Sequence, residues 1–150
     1  MMSQSAPVLD PNVIALSLRQ PWAELILRGI KTIEVRSQNT TVRGTIYLYA
    51  AQKTSPLPIA KTMAQRHALK LSELPTGVLV GTVDVIDSNR SKPNDAAAAC
   101  VTRGHLPNKF SWHLANPIRF SDPVDVKFLP YGVWFYPFQR RSVQKRKREQ

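Results

Sequence analysis

The run TGVLVGTVDVIDS, residues 76–88, constrains the fold more than any other stretch. It is long and rich in β-branched residues, so it predicts an extended strand. Gly81 inside it marks a bulge or a point where another backbone comes close. A strand of that length needs neighbours, and the chain supplies them. In VIALSLR, residues 13–19, Ile14, Leu16 and Leu18 alternate with Val13, Ala15, Ser17 and Arg19. In TIYLYAAQK, residues 45–53, Ile46, Leu48 and Ala50 fall on one face and Tyr47, Tyr49 and Ala51 on the other. The segment KFSWHLANPIRFSDPVDVKFLPYGVWFYPF, residues 109–138, predicts two or three more strands punctuated by proline.

Short helices break this pattern. QPWAELILRG opens one: Pro21 suits the first helical position, and Gly29 suits the left-handed residue just past the end. Trp22, Leu25 and Ile26 share its apolar face, and Glu24 with Arg28 forms an i,i+4 ion pair expected to face solvent. A second helix is expected to open near Pro58, and a short third over the alanines that precede Cys100. The fold class is therefore α+β and mainly β: a small closed or nearly closed barrel with two or three short helices plugging it.

Between the first helix and the turn SQNTTVRG lies GIKTIEVRS, where three charges sit inside a short apolar stretch. Ile33 and Val35 point one way, while Thr32, Glu34 and Arg36 point the other, which sets a carboxylate beside a guanidinium. Lys31 lies in the turn after Gly29, where its long stem can swing to either side. As surface decoration such a pair contributes only about 0 to 1 kcal/mol. As a pocket lining it does more: Arg36 offers a planar fork, Lys31 a point charge, and Glu34 an acceptor that orients both or takes a base N–H.

The charge balance favours the second reading. The chain has 150 residues, 43% of them hydrophobic, which is enough for one core, and 21 Lys+Arg against 10 Asp+Glu give a net charge of +11. Residues 140–150 hold six cations against Glu149, a net of +5, and the remaining +6 belongs to the body. Tail and body both attract polyanions. We divide the chain into a lead at 1–12, one domain at 13–139 and a basic tail at 140–150, expected to be disordered. No run approaches the about 18 apolar residues of a membrane span, and residues 1–12 lack signal-peptide character, so a cytoplasmic protein with no membrane partner is expected. Cys100 is the single cysteine, and His67, His105 and His113 show no metal-ligand spacing. Neither a metal site nor a cofactor is expected.

The blocks ALSLRQPWAELILRGIKTIEVRS, RGTIYLYAAQK, GVLVGTVDVIDS, FSWHLANPIRF and GVWFY, in that order, resemble the ASCH domain, the activating signal cointegrator homology domain. The similarity runs from Val13 to Phe138, and the signature Gly-x-Lys-x-x-Glu-x-Arg is present as Gly29, Lys31, Glu34 and Arg36. The resemblance implies a PUA-like β-barrel with a cleft beside the first helix, where the signature side chains gather. It also implies a nucleic-acid-binding protein, with RNA the expected partner and a cationic pocket for a nucleotide or base. The candidate binding residues are Arg19, Gln20, Trp22, Lys31, Glu34, Arg36, Tyr47 and Lys53, joined by Arg140, Arg141, Lys145 and Arg146 of the tail. Arg19 and Gln20 stand at a strand-to-helix junction, where a helix N-terminus favours an anion. Trp22 and Tyr47 could stack on a base or serve the core, and Trp112 reads as core.

Some branches of the family hydrolyse modified nucleosides or cleave RNA, so the alternative is a small hydrolase, either a ribonuclease or a modified-nucleoside amidohydrolase. Lys31, Glu34, Tyr47 and Lys53 are then the catalytic candidates. The nucleoside-hydrolysing branch carries threonine at the position of Glu34, and this departure weakens that version of the chemistry.

Overall fold

The computed structural model describes residues 9–140; Arg141, Lys145 and Arg146, and with them most of the basic tail, lie outside the described residues. The chain runs β1 (Ala15–Leu18), α1 (Trp22–Leu27), β2 (Ile33–Arg36), β3 (Gly44–Ala50), α2 (Pro58–Arg66), β4 (Val78–Arg90), α3 (Ala96–Ala99), β5 (Phe110–Val124) and β6 (Trp134–Phe135). The strands form a six-stranded sheet in the order β2-β5-β4-β3-β1-β6. β1 pairs with β3 in parallel, and every other pairing is antiparallel.

The sheet curls into a half-barrel. Trp112 on β5 stacks on Trp134 on β6 with ring centroids 5.5 Å apart, although β4, β3 and β1 separate those strands in the sheet. Inside the curl lie Leu16, Leu18, Ile46, Leu48, Val83, Val85 and Leu114, all buried, and α1 presses Ala23 and Ile26 into the same core. The opposite face buries Ala15, Tyr47, Tyr49, Leu79, Phe120 and Phe135. A third cluster joins Trp22 and Leu25 of α1 to Ala60 and Met63 of α2 and to Cys100 just after α3. The alternation read along residues 13–19 and 45–53 is the alternation between these clusters.

Gly81 lies where the β5 backbone comes close over β4. A Cβ there would run into the Ile118 carbonyl oxygen and into the Leu27 side chain, and the β4–β5 register shifts between Leu79 and Gly81. The proline-rich segment behaves differently from its sequence pattern. Instead of breaking at each proline, β5 runs on for 15 residues through Pro117 and Pro123. Asn116 takes a positive φ of 54°, and the β4 register shifts between Thr82 and Asp84, so Asn116 and Pro117 fall in a bulge where no ladder donor is required.

The ion pair of Glu24 with Arg28 forms as expected and Arg28 is exposed, but the solvent-facing role expected for Glu24 is corrected by the fold. Glu24 is 4% exposed. Arg119, reaching in from β5, donates to both of its carboxylate oxygens at 2.9 and 2.7 Å, and Arg28 Nε donates at 2.8 Å. The carboxylate pins α1 to the sheet because β5 curls beneath the helix, a long-range placement to which helical periodicity is blind.

Candidate functional site

Gly29, with φ of +74°, ends α1, and the backbone N–H groups of Ile30 and Lys31 both donate to the Leu25 carbonyl. This tight reversal points Lys31 inward. The Thr32 N–H donates to the Ala98 carbonyl, so α3 is laid against the start of β2. Lys31 is 3% exposed; its Nζ donates to the Ala99 carbonyl at 2.6 Å and lies 3.4 Å from Glu34 Oε1. The ammonium also sits 5.2 Å from the centroid of the Trp22 ring. Burial pushes the Lys31 pKa down, and the Glu34 charge opposes that shift without overcoming it.

Glu34 is buried and serves two cations. Its second carboxylate oxygen accepts from Arg36 Nε at 2.6 Å. Arg36 lies beside it on the same face of β2, with its guanidinium carbon 5.8 Å from the Trp112 ring centroid and one terminal nitrogen donating to the Ser17 carbonyl at 3.2 Å. That last bond joins β2, at one edge of the sheet, to β1 near the other. The site therefore lies on the seam where the half-barrel fails to close. A guanidinium has five N–H donors, and two of these are engaged by Glu34 and Ser17.

A cleft of about 430 Å³ opens over this seam, lined by Glu34 and Arg36 from β2, Ser17 and Arg19 from the end of β1, Trp22 from α1 and Val133 from the approach to β6. On the far side of Trp22 and Glu34, a smaller cavity of about 130 Å³ reaches Lys31, Val101 and His105. Among the described residues, no group of three or more histidine, cysteine, aspartate or glutamate side chains is placed to hold a metal ion.

The sequence model of the ASCH domain matches residues 16–124. The chain belongs to the ASCH domain family. Human activating signal cointegrator 1 is 40% identical over 79 residues, a match that takes in 48% of this chain and 14% of that protein. The mouse protein of the same name is 39% identical over the same shares. The chain thus spans a small part of the curated relatives it matches. Among solved structures, ASCH from Zymomonas mobilis superposes with a TM-score of 0.55 at 15% identity, covering 93% of this chain and 95% of that one. A single-substitution variant of the same bacterial protein gives 0.56 at 14% identity, covering 95% and 97%. These likenesses show that the small, mainly β fold is shared with ASCH proteins and is consistent with the expected PUA-like barrel.

Not every candidate residue of this ASCH domain comes together at the seam. Arg19, Trp22, Glu34 and Arg36 line the cleft. Lys31 stands behind Glu34, its ammonium already held by Ala99 and Glu34, so it supports Glu34 and lines the smaller cavity instead. Lys53 is exposed and lines a neighbouring cavity. Two candidates are redirected. Gln20 is fully buried, with its amide nitrogen donating to the Pro75 carbonyl and its oxygen accepting from the Glu24 N–H, which leaves it a structural clamp on α1. Tyr47 is 4% exposed; it packs edge-on against Phe120 and Phe138, and its hydroxyl accepts from the Asp10 N–H at 2.7 Å. Its strand parity sends it to the opposite face of the sheet from the seam. Arg140 is exposed at the end of the described residues.

The lining also includes groups that sequence reasoning passed over. The Ser17 carbonyl belongs to a strand that looks like ordinary core, and Gly132 and Val133 reach the cleft because the Ser17 N–H bonds to the Val133 carbonyl. His113, by contrast, pairs its Nε2 with Asn89 Oδ1 and does not line the cleft.

Proposed function

We propose that this ASCH domain binds nucleic acid, with RNA as the partner, and takes one nucleotide or base into the seam cleft. The observation that carries this reading is the state of Arg36. It is held by Glu34, Ser17 and the Trp112 face, its side chain is 24% exposed, and three of its N–H donors have no partner among the described residues. A guanidinium fixed in that way is prepared to take a phosphate or a base edge in two-point fashion with little loss of freedom. The cleft volume falls within the range of about 300 to 1,000 Å³ usual for small-ligand pockets. The net charge of +11 supplies the long-range attraction that a polyanion needs.

Fluorescence anisotropy with labelled single-stranded RNA tests the proposal. Affinity should fall linearly on a log–log plot against salt, and Arg36→Ala should weaken a preferred RNA more than an arbitrary one. Absence of binding at low salt would overturn the reading.

A second reading, a hydrolase of RNA or of a modified nucleoside, is favoured by one observation. The Lys31 amine is buried, its pKa is lowered, and it lies within 3.4 Å of Glu34 at the edge of a small cavity. Turnover of RNA or of acylated nucleosides, abolished in Lys31→Ala, would establish it.

A further inference from the structure

The seam cleft does not end at Arg19. A second cavity of about 330 Å³ shares Ser17, Arg19 and Ala51 with it and continues to Gln52, Lys53 and Leu129. Arg19 and Lys53 are exposed and have no carboxylate partner among the described residues, and no carboxylate lines this second cavity. The chemistry of the two compartments therefore differs. The first sets an acceptor and an aromatic edge, Glu34 and Trp22, beside one fixed guanidinium. The second offers two unpaired cations, the Gln52 amide and an apolar rim at Leu129, which is 66% exposed. Leu129 thus gives this compartment an apolar edge beside its cations.

We infer that the two compartments form one groove for a dinucleotide step of single-stranded nucleic acid. The seam cleft takes one nucleotide, Arg19 meets the phosphate between the two, and the Gln52–Lys53–Leu129 compartment takes the next. The inference rests on the nucleotide-pocket reading above and extends it from one unit to two. Arg19 supports the shared phosphate because it is the cation common to both cavities. Lys53 adds a charge that only a second unit reaches, and Leu129 offers a surface on which a sugar or base edge can lie.

The test is a length series by isothermal titration calorimetry at fixed ionic strength, with 5′-phosphorylated mono-, di- and tetranucleotides of each of the four bases. Affinity should rise about tenfold or more from one unit to two, equivalent to about 1.4 kcal/mol, and much less from two to four. Lys53→Ala should bring the two-unit to one-unit affinity ratio close to one, whereas Arg36→Ala should lower both affinities and keep the ratio. Lys70→Ala, at an exposed lysine lining neither compartment, should keep the ratio as well. A wild-type ratio near one overturns the second compartment while leaving the single-nucleotide reading intact. So does a ratio that survives Lys53→Ala, or one that collapses equally in Lys70→Ala. Failure of the wild-type protein to bind any member of the series overturns the nucleotide pocket itself, and the groove with it.

Discussion

Arg36 on β2 donates to the carbonyl oxygen of Ser17 on β1 across 3.2 Å, joining two strands that share no ladder and lie four places apart in the sheet. Side-chain chemistry stands here where backbone pairing would close a barrel. The same guanidinium holds Glu34 and faces the cleft. The seam is therefore both the part of the wall without a backbone ladder and the place where a fixed charge faces a cleft.

Replacing Arg36 with lysine keeps the charge but removes the fork. One ammonium cannot reproduce the paired geometry toward Glu34, Ser17 and a ligand. Arg36→Lys should lose about 1 to 3 kcal/mol of affinity for a preferred RNA, with the salt dependence of binding nearly unchanged. Comparing dissociation constants for preferred and scrambled RNA over a salt series checks this. Equal losses on both would demote Arg36 to a general electrostatic contact.

Glu24 carries a different expectation. Burial alone would raise its pKa, but the hydrogen bonds and charges of Arg119 and Arg28 outweigh that and hold it below the usual 4.5. A carboxylate with a depressed folded pKa contributes stability that is complete above 4.5 and is lost as pH falls through the lower folded value. Glu24→Gln should thus destabilise the protein by about 1.5 to 3 kcal/mol at neutral pH, since the lost bonds are to charged groups. The gap between variant and wild type should narrow as pH drops below 4.5. Denaturant titrations at neutral and acid pH read both effects.

Local patterning foretold the elements, because alternation and helix punctuation act over a few residues. It also set Glu34 beside Arg36, since strand parity alone decides that. It could not foretell which strand lies across the seam, as the parallel β1–β3 pairing and the curl bring Ser17 and Val133 together over more than a hundred residues. Glu24 and Gln20 were misread for the same reason. Each looks like an end or an outer face of a short helix, and each is covered by chain that arrives much later, Arg119 in one case and Pro75 in the other. Tyr47 shows the limit from the other side: its parity was legible, but which face of β3 would meet the cleft was not.

Lys31 gives a pH dependence of the same sign as that of Glu24, in a window that ends at 10.5 instead of 4.5. Its folded pKa lies below its ordinary value of 10.5, so between the two values the unfolded chain binds more protons than the folded one. Stability from this group therefore rises as pH climbs from the depressed value toward 10.5. Cys100, whose thiol burial raises above 9.0, opposes this trend in part of the same range. The contribution of Lys31 is isolated by comparison with Lys31→Met, which fits the apolar stem and leaves Glu34 its bond to Arg36. The stability of wild type relative to Lys31→Met should increase with pH across this window in urea titrations. A flat difference would mean that Lys31 is not held against its charge.

Glu34→Gln separates the two duties of the carboxylate. The amide oxygen can still accept from Arg36 Nε, but the buried Lys31 ammonium loses the charge that compensates it and keeps only the Ala99 carbonyl and the Trp22 ring face. Breaking one partner out of a buried pair costs about 3 to 5 kcal/mol, and the lower end applies because Arg36 is partly exposed and can turn toward solvent. A stability loss of about 3 kcal/mol is therefore expected, and near-UV circular dichroism at low temperature must show that the variant is folded before binding is read. For binding, the two duties have opposite consequences. If Glu34 only orients its neighbours, removing a negative charge from the cleft should hold or raise affinity for every RNA. If it also accepts a hydrogen bond from a base edge, the amide replaces an acceptor-only group, and specific binding should fall by about 1 to 3 kcal/mol while nonspecific binding rises slightly. We expect the second pattern, because Glu34 lines the same cleft as Trp22 and the free donors of Arg36. A folded variant whose specific and nonspecific affinities both improve would restrict Glu34 to holding Lys31 and Arg36 in place.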